Sequence, residues 1–136
     1  MAALGSITAV RPTLTTTYQR VAYGATIAAG QTVYQDPADS LYKLGDNNAS
    51  ATTATVYGIA MTPGVNGGYG LVATGGSIIL VGTTMAIGTQ YFAGGTAGEI
   101  IPAGDFATND YVTNIGVGAS ATQMDLNIKV TGILHA

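Results

Sequence analysis

From Gln123 to Thr131 the chain alternates without a break. Met124, Leu126, Ile128 and Val130 are apolar, and Gln123, Asp125, Asn127, Lys129 and Thr131 around them are polar. A period of two places the two sets on opposite sides of an extended strand, whereas a helix would spread them around its circumference. The segment is predicted to be a half-buried β-strand, and that decides the meaning of what precedes it. Gly116, Gly118 and Ala121, in Asn114-Ile-Gly-Val-Gly-Ala-Ser-Ala121, have the G-x-G-x-x-A spacing of a dinucleotide-binding turn. Such a turn needs a helix whose N-terminal amides face the pyrophosphate, and an acidic residue about 20 positions further on. Here a strand follows, and no acidic residue occurs beyond Asp125. Gly116–Thr122 is therefore a predicted hairpin connection.

The same texture of short extended runs broken by glycine holds throughout. Predicted strands are Tyr18–Tyr23, Gln31–Gln35, Leu41–Leu44, Thr52–Met61, Tyr69–Thr74, Ser77–Val81, Gln90–Ala93, Glu99–Ile101, Asp110–Val117 and Thr122–Leu134. Asp36-Pro-Ala-Asp39, Asn66-Gly67, Gly75-Gly76 and Gly94-Gly95 punctuate them as turns. Asp105–Asn109 has room for one helical turn, and no segment supports a long helix. Many short strands at this spacing predict an all-β fold, a compact β-sandwich or β-barrel of short antiparallel strands. In residues 1–17, Leu4–Val10 can run extended, but the segment lacks clean alternation and contains Pro12 and the run Thr15–Thr17. The whole stretch is expected to form an extended N-terminal arm or an edge segment, ahead of a single β domain over residues 18–136.

A weak echo runs through this pattern. Gly30-Gln-Thr-Val-Tyr34 precedes a polar stretch and Val56-Tyr-Gly-Ile-Ala60, and Gly88-Thr-Gln-Tyr-Phe92 precedes one and Val112–Val117. The two series lie about 57 residues apart, as duplicated hairpin units would, or as two merely similar strands would. Two copies are too few for a solenoid.

Charged residues make up 8% of the chain, against roughly 25% in a typical soluble domain. The four positive charges, Arg11, Arg20, Lys43 and Lys129, are scattered singly and the net charge is −3. Nucleic-acid binding therefore lacks its electrostatic basis. Hydrophobic residues reach 47%, so the chain is expected to fold. So neutral a surface is poorly protected against association, which points to coverage by partner subunits. The longest aliphatic run, Ile78–Val81, is far too short to span a membrane as a helix, and the apolar start at Met1 has no basic residues before it.

The residues that carry chemistry do not converge. No cysteine is present and His135 is the single histidine, so one chain cannot assemble a His/Cys zinc site. His135, penultimate in the sequence, is expected to be a solvated end residue rather than a member of a catalytic triad. Asp36, Asp39, Asp46, Glu99, Asp105, Asp110 and Asp125 mostly sit among turn formers, where carboxylates cap backbone amides. Asp36-Pro-Ala-Asp39 and Asp46-Asn-Asn48 carry oxygen ligands without the register of a known calcium loop. No catalytic, metal or cofactor-binding residue is assigned. What remains is interface chemistry. Tyrosine combines an apolar ring with a hydroxyl, and a buried arginine anchors an interface even at low overall charge. Arg11, Arg20, Tyr18, Tyr23 and Tyr69 are the candidate interface residues.

Four stretches taken together resemble a known family. They are Gly30-Gln-Thr-Val-Tyr34, Tyr57-Gly-Ile-Ala60, Ala73-Thr-Gly-Gly-Ser-Ile78 and Ile115-Gly-Val-Gly-Ala119. Their order over roughly residues 20 to 130 is similar to that in the small capsid cement, or head decoration, proteins of tailed bacteriophages. The resemblance implies a compact β domain of the virion that trimerises on the capsid surface at local threefold positions. There it would bridge major capsid protein subunits, with no catalytic residues and no cofactor. The alternative from a different class is a β-sandwich module of a phage fibre or adhesin that recognises carbohydrate.

Overall fold

The computed structural model describes residues 3, 4 and 7–135, and the chain is all-β. Ten strands follow one another: β1 (Ala9–Pro12), β2 (Thr17–Ala22), β3 (Thr32–Gln35), β4 (Tyr42–Leu44), β5 (Val56–Ala60), β6 (Tyr69–Val81), β7 (Gln90–Ala93), β8 (Ile100–Pro102), β9 (Tyr111–Gly118) and β10 (Gln123–Leu134). A single 3-10 turn at Ala103–Asp105 is the one helical element among the described residues, just ahead of the predicted position. Every ladder between these strands is antiparallel, and an isolated parallel bridge joins Tyr23, just past β2, to Tyr42 of β4. The sheet order is β4-β3-β5-β6-β10-β9-β7-β8, with β1 and β2 added on β6, and the sheet curls into a half-barrel.

β6 is the spine. The sequence predicts two strands here, with a turn at Gly75-Gly76, but the chain runs extended through both glycines for 13 residues. The reason lies in a neighbour. Gly76 has φ +72°, and the backbone of Thr15 occupies the space that a Cβ on Gly76 would need. The glycines bend the strand under a crossing segment and do not reverse it. The two faces of the spine then serve two cores. Val72 packs with Val21, Tyr23, Ile27 and Val33, while Ala73, Ile78 and Leu80 pack with Tyr91, Ile100, Ile115 and Met124.

The echo in the sequence is a structural duplication. Thr32↔Ile59, Val33↔Gly58 and Tyr34↔Val56 pair β3 with β5, and Gln90↔Val117, Tyr91↔Gly116 and Phe92↔Asn114 pair β7 with β9. Each residue in the second set is 58 positions after its counterpart (33 to 91, 58 to 116), and both ladders shift register at the same step. β3–β4 and β7–β8 repeat the spacing, Val33↔Leu44 against Tyr91↔Pro102. Gly30 and Gly88, which open the two units, have φ +90° and +78°. The palindromic strand order is the consequence: each half lays down the same four-strand pattern, and the halves meet where β6 joins β10.

Of the two forms expected for residues 1–17, arm or edge segment, residues 9–12 take the second: β1 pairs with β6 from Ala9↔Val81 to Pro12↔Ile78, and Val10 enters the larger core. Val10 is one apolar side chain in a run too short to show a period, so its burial left no local signature. The strand predicted from Thr52 starts only at Val56, because Ser50–Thr53 closes a turn held by the Thr53 hydroxyl donating to the Asp46 carbonyl at 2.9 Å.

Candidate interaction surface

Tyr18, Arg20 and Tyr69 converge on one face. Tyr18 and Arg20 are two residues apart on β2, so their side chains project the same way. Tyr69 lies opposite Ala22 on β6 and joins that face. The Arg20 guanidinium carbon sits 4.2 Å from the centroid of the Tyr69 ring, a cation–π contact that fixes both groups in place. Tyr18 and Tyr69 remain 52% and 60% exposed. Arg11 is also exposed but stands apart on β1.

Tyr23, the fifth candidate, is a correction. It is fully buried, with its hydroxyl donating to the Thr62 carbonyl at 2.9 Å. Its ring fills the space left by the missing side chains of Gly64 and Gly70. Burial pushes its hydroxyl pKa above the ordinary value of 10.0, against a smaller lowering by Thr62. The residue serves the smaller core and no partner can reach it.

The structure adds surface residues that local pattern did not single out. Thr13–Thr16 connects β1 to β2 as a turn built from hydroxyls. Thr13 Oγ1 donates to the Ser77 carbonyl at 3.0 Å, Thr16 Oγ1 donates to the same oxygen, and the Ser77 N–H donates to Thr15 Oγ1 at 3.1 Å. This bracing presents Leu14 wholly to solvent. At the other end of the chain the alternation in β10 keeps its promise only halfway. Met124 and Leu126 are buried, but pairing with β6 stops at Leu126↔Gly76, a register shift follows on the β9 side, and Val130, Ile133 and Leu134 stay exposed. The signal was available: Gly132-Ile-Leu134 departs from the alternation that ends at Thr131.

Asp36, Asp39, Asp46 and Asp110 are employed in turns. Lys43 Nζ stands 2.7 Å from Asp36 and 3.0 Å from Asp39, whose other oxygens accept the Ala38 and Leu41 N–H groups. Lys43 and the backbone of Ala38 hold the Asp36 carboxyl below its usual range. The Leu41 amide, then Lys43, does the same for Asp39, and the two acids raise Lys43 in return. An ammonium thus occupies the place where Asp36-Pro-Ala-Asp39 would seat a cation. Asp46 Oδ1 likewise accepts the Asn48 N–H. No group of three or more His, Cys, Asp or Glu side chains able to hold a metal occurs among the described residues. His135 is not a free end: it stacks on Phe106 at 5.3 Å, and its backbone N–H and carbonyl bond Asp110 and Asn109. Two shallow concavities, of about 270 and 360 Å³, flank Leu4, and among the described residues Glu99 is the one ionisable group lining either apart from the Tyr91 phenol.

The chain matches no protein-family model, and no curated protein matches it in sequence.

Proposed function

We propose that the chain is a structural virion protein, a capsid cement or head decoration subunit of a tailed bacteriophage. In this reading it binds the outer capsid surface as a homotrimer and stabilises contacts between major capsid protein subunits. The observation that supports it most is where the exposed apolar side chains lie. Tyr18, Tyr69 and Leu14 stand on and beside one sheet edge that carries no acid, and four of the seven carboxylates, Asp36, Asp39, Asp46 and Asp110, are engaged in capping turns. A surface of this kind gains free energy by being covered, at about 25 cal/mol per Å² of apolar area. It offers a small polar ligand little to hold. The resemblance across residues 20 to 130 supplies the class of partner.

The test mixes purified protein with undecorated capsids and separates bound from free by sedimentation, with light scattering of the free protein alongside. Saturable binding in multiples of three per site is expected. Failure to sediment with any capsid, together with selective capture by immobilised glycans, overturns this reading in favour of a carbohydrate-binding module.

A further inference from the structure

We infer that a second copy of this chain is the occupant of two open strand edges, with β2 of one copy pairing edge to edge with residues 127–134 of β10 in the next. This deepens the trimer part of the proposed function by naming the surfaces that meet.

A strand edge without a neighbour presents a row of unpaired N–H and C=O groups, and monomeric proteins guard such rows with charge or cover. The two ends of this sheet are guarded. Next to β4 stand Lys43, Asp36 and Asp39, and the Leu4 N–H bonds the Ile100 carbonyl at the edge of β8. Two other stretches have no covering segment, and each carries a single basic residue, Arg20 or Lys129. β2 pairs with β6 alone, and β10 beyond Leu126 pairs with β9 alone, out to Leu134↔Tyr111. These are also the places where apolar side chains are left uncovered. Of nine large hydrophobic residues exposed among the described residues, Leu14, Tyr18 and Tyr69 stand by the first edge, and Val130, Ile133 and Leu134 by the second.

The two edges are comparable in length, six residues on β2 and eight over residues 127–134, or roughly 20 to 26 Å at 3.3 Å per residue. The second is interrupted by register shifts on either side of Val130 and by Gly132 at φ +68°, with the Ile133 N–H held by Thr131 Oγ1. The two edges differ in sequence, so joining them is a head-to-tail contact, which generates a ring when the rotation closes. Each copy then uses both of its open edges and no third protein is needed. Backbone pairing over that length with the six side chains buried covers on the order of 1,000 Å², the lower end of specific interfaces. Arg20 and Lys129 are the charges on the two strands, they have the same sign, and neither stretch carries an acid. Salt therefore screens a repulsion here and tightens the contact.

The chain has no cysteine, which makes the contact testable by placed disulfides. Tyr18→Cys and Ile133→Cys both alter exposed side chains, and unchanged thermal unfolding checks that each variant folds. Oxidising a mixture of the two should yield a disulfide-linked heterodimer, while either alone stays largely uncrosslinked. Val130→Lys should weaken self-association at least tenfold by light scattering, and Ile87→Lys, on an exposed loop away from both edges, should leave it unchanged. Association should strengthen between about 0.05 and 0.5 M NaCl. Cross-linking of Tyr18→Cys with itself as efficient as in the mixture overturns the inference, as does a chain that stays monomeric at millimolar concentration, or assembly indifferent to Val130→Lys. Capsid sedimentation separates this from the reading above: rings that ignore capsids retain the edge contact and lose the cement function, and monomers that decorate capsids do the reverse.

Discussion

The ring of Tyr23 lies directly over Gly70, its Cζ and hydroxyl in the space that a Cβ there would require. The ring has no room to retreat, because it is fully buried and its hydroxyl is tied to the Thr62 carbonyl. Gly70→Ala should cost about 3 kcal/mol through overpacking, a fall in melting temperature on the order of 10 °C. Calorimetry of the variant checks this, and an unchanged melting temperature would mean the smaller core is looser than its packing implies.

The same tyrosine sets an alkaline limit. Burial raises its pKa in the folded chain, so the unfolded chain gives up this proton first as pH rises past about 10. Its contribution is complete below that pH and is lost as pH climbs through the folded value. Tyr42, raised chiefly by burial and further by Tyr57, adds to the trend with the same sign. Tyr23→Phe should cost about 1–2 kcal/mol at pH 7 for the lost hydrogen bond, and should lose less stability than the parent above about pH 10. Denaturant titrations at about pH 7, 9, 10 and 11 should show the two curves converging, whereas parallel curves would refute the assignment.

β1 belongs to the fold, so trimming it has a price in stability. Deleting the residues through Pro12 removes the pairing with Ile78–Val81 and takes Val10 from the larger core. Val10→Ala alone should cost about 1–2 kcal/mol. Thermal unfolding of the truncated chain should move well below that of the full chain. A truncation that unfolds like the parent would restore residues 9–12 to the role of a detachable arm.

Gly58 and Gly116 hold the same position in the two halves. At each, an added Cβ would meet a carbonyl oxygen of the paired strand, Ala73 for one and Asp125 for the other, at well under 3.0 Å. Backbone cannot swing aside as a side chain can, so Gly58→Ala and Gly116→Ala should each destabilise by about 3 kcal/mol or more. Equivalence also demands that the two costs agree to within about 1 kcal/mol in chemical denaturation. A neutral effect at one site and a severe one at the other would break the equivalence.

Attachment to a particle should resist salt. The seven acids and four bases are scattered singly, and Lys43 is already engaged by Asp36 and Asp39. Washing decorated capsids up to about 1 M NaCl, where the screening length is roughly 3 Å, should leave the protein bound. Steady loss between low and moderate salt would show that Arg11 and Arg20 dominate attachment.

Much of this was legible in the chain because local rules govern it. A hairpin between β9 and β10 followed from alternation after a glycine pair, with its connection at residues 119–122 and Gly116–Gly118 inside β9. Gln90–Ala93 is a strand with the bounds its aromatic pair suggests. What escaped was decided at a distance. Tyr18 and Tyr23 look alike on one strand, and only Gly64 and Gly70, more than forty residues on, make room for the second. The continuity of β6 depends in the same way on Thr15 crossing Gly76. Tyr18, Arg20 and Tyr69 could be named as candidates, but their meeting on one face needed the β2–β6 register.

The repeated ladder has a consequence for how the chain finds its fold. The paired residues Tyr34 and Val56 are as far apart in the chain as Phe92 and Asn114, so during folding each strand meets two mates of matching register. Exchange between halves, or between two nascent chains, is the kinetic trap this invites. The arbiters are the side chains that differ: Val33 beside Gly58 in one ladder, the bulkier Tyr91 beside Gly116 in the other. A chain with Val33 and Tyr91 interchanged would keep its composition, would lose the bond from the Ala86 N–H to the Tyr91 hydroxyl, and should refold more slowly and with more misassembled product.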